Sequence, residues 1–131
     1  MELYIIIIVS LILFVAARAL FHYGKRSRSL KGEWVKSRAE KLIADYFFRN
    51  GIAYQYEKSR VGLKPDFYLT EFGIYVEYWG LANVSSSYRK HMRWKMAQYH
   101  KNGVRFVSIY PHNLNNLDWV FRFVSNFTGT E

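Results

Sequence analysis

Apolar residues crowd the start of the chain. Residues 3–17 read LYIIIIVSLILFVAA, with Ser10 the only clearly polar member. A helix needs about 20 residues to cross a bilayer. Residues 3–23 supply that length with Arg18 as the only charge, close enough to the far end to snorkel to the headgroups. A transmembrane anchor over residues 1–24 is expected. A cleaved signal peptide is one alternative, but it wants a positively charged start, and the chain offers Glu2 there and no Lys or Arg. A buried core helix is another, and the domain that follows is small for wrapping one on all sides. Lys25, Arg26, Arg28, Lys31 and Lys36 come after the run and nothing comparable precedes it. The positive-inside rule then puts the rest of the chain in the cytoplasm. Residues 25–33, most of them in the run GKRSRSLKG, read as a flexible basic linker, which also suits anionic lipid headgroups.

Residues 34–131 read as one domain. Over residues 34–50, Ala39, Leu42, Ile43, Tyr46 and Phe47 share a helical face, and Asn50-Gly51 is a stop signal. Residues 52–57 alternate apolar and polar, as a strand does, and 58–65 form a basic loop ending at Pro65. Strands at 66–70 and 74–79 flank a turn near Glu71-Phe72-Gly73, short enough to predict an antiparallel hairpin. A helix over 85–101 is closed by Asn102-Gly103. Residues 104–110 are nearly continuously apolar, like a strand covered on both faces, and an amphipathic helix is expected over 114–127. The order α-β-β-β-α-β-α predicts an α/β fold with a mixed sheet of about four strands flanked by helices. The strand-helix-strand unit over 74–110 predicts a parallel pair with a right-handed crossover.

Composition narrows the function classes. Aromatic residues make up 19% of the chain, far too many for intrinsic disorder. The absence of cysteine excludes a disulfide scaffold and agrees with a reducing compartment. A zinc site would have to use carboxylates and four scattered His, a poor match to known zinc ligand sets. All the Lys and Arg but Arg18, and all the Asp and Glu but Glu2, lie outside residues 1–24, so the whole net charge of +9 belongs to the remainder. Such a charge suits a polyanionic partner.

Four charged residues stand in unusual places. Asp66 follows Pro65 and opens a strand, while Glu77 sits in a very apolar strand between Val76 and Tyr78. Carboxylates are rarely buried without compensation. Two on adjacent antiparallel strands can converge, and a divalent cation is the usual compensation; an ion pair between Glu77 and a nearby base is the alternative. Glu40 precedes Ile43, Ala44 and Phe47 by three, four and seven residues, which borders the buried face of its helix, although a solvated glutamate is equally compatible. Lys95 shares a helical face with Tyr88, Met92, Met96 and Tyr99. An inward lysine needs an anion; the bland reading is a stem along the core edge with its amine in water.

These residues together resemble the PD-(D/E)XK nuclease superfamily, with its restriction-endonuclease-like fold. The resemblance covers roughly residues 34–110 and rests on Glu40 in SRAEKLIADYF, Pro65-Asp66 in LKPDFYL and Glu77 in IYVEYWG. It implies that Asp66 and Glu77 hold Mg²⁺ (or Mn²⁺), with the Tyr78 carbonyl as a further ligand, and that Glu40 supports a second metal or a metal-bound water. The family usually carries a lysine two residues after the strand carboxylate; here that position is Trp79. Some branches carry it on the following helix, and Lys95 fits that role by its facing. Arg60, Lys64, Arg89 and Arg93 are the expected nucleic-acid contacts. The function expected is a metal-dependent endonuclease hydrolysing phosphodiester bonds of DNA, tethered to the cytoplasmic face of a membrane. Its competitors are a catalytically inactive nuclease fold acting as nucleic-acid binder or membrane adapter, and a basic domain resting on anionic lipid.

Overall fold

The computed structural model describes residues 2–23 and 26–124, with side chains for residues 4–16 and 26–124. Helix α1 runs Glu2–Tyr23, and its described side chains are all exposed, from Tyr4 through Val15. Among the described residues no helix is long and apolar enough to cross a membrane. The remainder of the span expected over 3–23 lies outside the described side chains.

The stretch expected to be a flexible linker carries a small hairpin instead. Strand β1 (Ser27–Arg28) pairs antiparallel with β2 (Trp34–Val35). Gly32, with φ of 106°, supplies the left-handed turn residue that other amino acids avoid. The Leu30 amide donates to Asp45 Oδ1 at 2.7 Å and ties the hairpin to the next helix. That helix, α2 (Arg38–Arg49), starts later than the apolar periodicity implies because Ser37 caps it, its Oγ accepting from the Glu40 amide at 3.1 Å.

Four strands, β3 (Tyr54–Tyr56), β4 (Phe67–Leu69), β5 (Ile74–Tyr78) and β6 (Phe106–Ile109), form one sheet in the order β3-β4-β5-β6. The first two pairings are antiparallel and β5–β6 is parallel, across α3 (Ser86–Lys101). Period-two alternation sorts the side chains. Phe67, Leu69, Ile74, Val76 and Ile109 pack with Ile43 and Phe47 of α2, while Tyr75, Tyr68 and Phe106 pack with Tyr99 of α3. The mixed sheet flanked by helices is thus the architecture expected. The last helix starts later than expected: a 3₁₀ turn at Pro111–Asn115 precedes α4 (Leu117–Val120), which Asn116 caps through Oδ1, and residues 122–124 are again helical. Residues 125–127 of the expected helix lie outside the described residues.

The basic loop before Pro65 is a tight turn. Arg60 and Leu63 exchange two backbone hydrogen bonds of 2.8 Å, and Val61 and Gly62 between them have φ of 45° and 74°. Two successive positive φ values define a type I′ turn, which favours Asn-Gly. A β-branched residue is strained there, and Val61 is 59% exposed, so it returns little packing. Val61→Asn should raise stability by roughly 1 kcal/mol, read as a higher denaturation midpoint with an unchanged slope.

Candidate active site

The β4–β5 register brings the strand carboxylates together. Phe67 pairs with Val76, so one step outward Asp66 faces Glu77 on the same side of the sheet. Directly opposed residues of an antiparallel pair have Cβ atoms about 4.5–5.5 Å apart. Glu77 is 2% exposed and faces Asp66 across the β4–β5 register. Asp66 Oδ2 accepts from the Tyr78 amide at 2.7 Å. Burial, and then the negative charge of Glu77, push the Asp66 carboxyl up to about 8; burial pushes Glu77 up as well, against the pull of Lys95. Two like charges with little water between them cannot both ionise cheaply.

Helix α3 supplies the counterweight. Lys95 and Tyr99, one turn apart, both face the sheet. Lys95 Nζ lies 2.5 Å from Glu77 Oε1 and donates to the Lys64 carbonyl at 2.7 Å. The phenol of Tyr99, fully buried, donates to the same Oε1. Trp79, at the position where the resemblance expects a lysine, is buried and donates to Ser108 Oγ at 2.9 Å. The Lys95 ammonium sits 6.0 Å from its ring centroid, so a cation from α3 reaches the space beside the motif position.

Glu40 arrives from the first turn of α2. It is buried, and its Oε2 accepts from the Tyr56 hydroxyl at 2.5 Å and the Lys36 amide at 3.0 Å. It lines a cleft of about 430 Å³ with Asp66, Tyr78, Tyr88, Lys36 and Arg26. Glu57, unremarkable in the sequence, is the neighbour of Asp66 on the other side, its amide donating to the Asp66 carbonyl at 2.9 Å. Glu57 has a positive φ of 48° and pairs with Lys36 and with Lys64, the latter at 3.1 Å. Burial raises its pKa, but those two ammonium groups outweigh burial and hold it below the usual carboxylate range.

The donor set fits one divalent cation better than a closed cage. Among the described residues no three His, Cys, Asp or Glu side chains gather as a metal site. Mg²⁺ asks for less: one or two carboxylates, with waters and phosphate oxygens for the remainder. Asp66 and Glu77 provide that pair. The Tyr78 carbonyl beside them accepts from the Tyr88 hydroxyl at 3.3 Å and keeps a second lone pair.

The four expected nucleic-acid contacts are not brought together. Arg60 lies 4.4 Å from the Tyr68 ring centroid and donates to Gln55 at 3.0 Å. Arg89 donates to the Ala82 carbonyl at 3.1 Å, and Arg93 is exposed on α3. Of the four, Lys64 is tied to the site, its carbonyl accepting from Lys95 and its ammonium pairing with Glu57. The bases that line the cleft are Arg26 and Lys36; their signal in the sequence was no more than membership of the basic run. Tyr99 stood out only as part of an apolar face.

The fold is similar to that of the catalytic domain of the homing endonuclease I-Bth0305I, with a TM-score of 0.52 and 23% identity over 68% of this chain and 91% of that one. No protein-family model and no curated protein matches the chain.

Proposed function

We propose that this protein is a metal-dependent endonuclease that hydrolyses phosphodiester bonds of DNA at the cytoplasmic face of a membrane. The observation that carries the reading is the opposed pair Asp66 and Glu77 at the sheet end, Glu77 buried and Asp66 half-buried, with Lys95 at 2.5 Å from Glu77. Asp66, Glu77 and the Tyr78 carbonyl would hold Mg²⁺ or Mn²⁺. A divalent ion supplies a polarised water and neutralises phosphate oxygens. Lys95 places a fixed positive charge where the transition state becomes more negative. Glu40, fixed by Tyr56 and the Lys36 amide, lines the same cleft as Asp66 and is the residue for a second ion or its water. Lys36 and Arg26 draw the polyanion in. The test is cleavage by the full chain in detergent, with Mg²⁺ or Mn²⁺, across single-stranded, duplex and branched DNA and RNA. Metal-dependent cleavage of DNA supports the reading; binding without cleavage of any substrate refutes it.

That second outcome belongs to an inactive nuclease fold that binds nucleic acid or serves as a membrane adapter. Its specific support is that Lys95 and Tyr99 already satisfy Glu77 Oε1 without a cation, together with Trp79 at the usual lysine position.

The tether rests on the apolar run over 3–23 and its basic flank. Arg26, three residues beyond the end of α1, lines the cleft, so anchor and site lie close along the chain. Full-length protein should sediment with membranes and stay there through alkaline carbonate extraction. Recovery in the soluble fraction would remove the membrane from the proposal.

A further inference from the structure

The phenol of Tyr99 belongs to no part of the motif, yet it ends on Glu77, the most buried carboxylate among the described residues. Tyr99 is fully buried between Tyr75 and Phe106, with ring centroids at 5.3 and 5.1 Å. A phenylalanine would satisfy that packing. A buried hydroxyl in an aromatic cluster costs free energy unless it is bonded, and this one spends its proton on Glu77 Oε1. The same oxygen takes the Lys95 ammonium. Both donors therefore converge on one oxygen of Glu77, while the residue faces Asp66 across the β4–β5 register.

We infer that Tyr99 is a positioning residue for the site: together with Lys95 it pins Oε1 of Glu77, fixes the rotation of the carboxylate, and so presents Oε2 to the cation that Asp66 and Glu77 share. The inference rests on the proposed metal site and names a residue that supports it from behind. A carboxylate held only by Lys95 could rotate about its terminal torsion, which is broad and weakly restrained. The phenol and the ammonium come from adjacent turns of α3, so two donors on one rigid element define the plane. Partners of metal ligands of this kind typically change metal affinity by about 10–100-fold when removed.

The test is Tyr99→Phe in the full chain, with Mn²⁺ affinity measured by calorimetry and the fold checked by unfolding in EDTA. The expected result is a folded protein whose Mn²⁺ affinity falls about 10-fold or more, with cleavage reduced at low Mn²⁺ and largely regained at high Mn²⁺. Tyr75→Phe is the control. It deletes the neighbouring hydroxyl of the same cluster, away from Glu77, and should leave Mn²⁺ affinity unchanged. An affinity for Mn²⁺ that is equal in wild type and a folded Tyr99→Phe protein overturns the inference, as does a wild type that binds no Mn²⁺. Wild type that binds Mn²⁺ with the Tyr99 dependence but cleaves nothing leaves the inference standing and sinks the nuclease reading alone. Should Tyr99→Phe fail to fold, wild type carries the test. Mg²⁺ draws charge from Glu77 and weakens its hold on the phenol, so the tyrosine ultraviolet difference spectrum must shift on Mg²⁺ addition, and less so in Glu77→Gln; no shift refutes the inference.

Discussion

Replacing Asp66 with Asn should abolish cleavage and at the same time make the metal-free protein harder to unfold at neutral and alkaline pH. The two effects have one cause. Asp66 sits at about 8 because it is buried and faces Glu77. A carboxyl whose pKa is higher folded than unfolded holds its proton more tightly in the native state. Its favourable contribution is complete below the unfolded value near 4 and is lost as pH rises from there towards about 8. Above that window the native state carries two carboxylates side by side. Asn removes one charge and the repulsion with it, and it also removes a ligand. The metal-free wild type should therefore lose thermal stability between about pH 4 and 8, while Asp66→Asn should have a flatter profile and a higher melting temperature at pH 8. Saturating Mg²⁺ should raise the melting temperature of wild type and not of Asp66→Asn. Glu77→Gln should follow the same pattern for cleavage and metal, with a smaller gain in stability, because it gives up the charge that pairs with Lys95. An Asp66→Asn protein that still cleaves, or whose metal-free stability falls at pH 8, defeats the assignment of this pair.

How the sequence foreshadows this site follows from which signals are local. The Asp66–Glu77 convergence was legible because a short turn, closed by Gly73 at φ of 62°, forces an antiparallel register, and register alone puts the two residues on one face. The inward aim of Lys95 was legible from the 3.6 periodicity of α3. Other features were hidden for physical reasons. Strands β1 and β2 are two residues each, too short to carry any periodicity; β1 lies in the basic run that reads as linker and β2 at the start of the stretch that reads as helix. The turn at Val61-Gly62 was masked because a β-branched residue occupies a position that favours Asn. The helix expected from 114 begins only at Leu117, because the Asn116 side chain caps it there. The partners of Arg60, Arg89 and Tyr99 depend on which carbonyl, ring or carboxylate tertiary packing brings near. Nothing in the residue type or its spacing encodes that.

At saturating Mg²⁺, Lys95→Ala should lower cleavage by about 10²-fold or more, the scale for losing a positioned charge or proton-transfer group; on Mg²⁺ affinity the loss of a donor to Glu77 and the loss of a cation beside the site act in opposite directions. The ion pair with Glu77 complicates a simple activity reading, since removing one partner of a buried pair strands the other. Without metal, Lys95→Ala should therefore be destabilised, partly relieved by Glu77 and Asp66 sharing a proton. Saturating Mg²⁺ replaces the lost positive charge beside Glu77 and should restore most of the stability. If the lysine serves only to neutralise Glu77, Mg²⁺ restores the cleavage rate together with the melting temperature. If it acts on the phosphate or the attacking water, the rate stays low in a protein that is once again stable. Lys95→Arg should rescue poorly, because a planar guanidinium replaces a compact ammonium and cannot give up its proton. A lysine placed by Trp79→Lys in the Lys95→Ala background should recover part of the rate, since the Lys95 ammonium already lies 6.0 Å from the Trp79 ring and the two positions approach the same space. A Lys95→Ala protein that cleaves as fast as wild type at saturating Mg²⁺ would keep the carboxylate pair in place and return Lys95 to a structural ion pair.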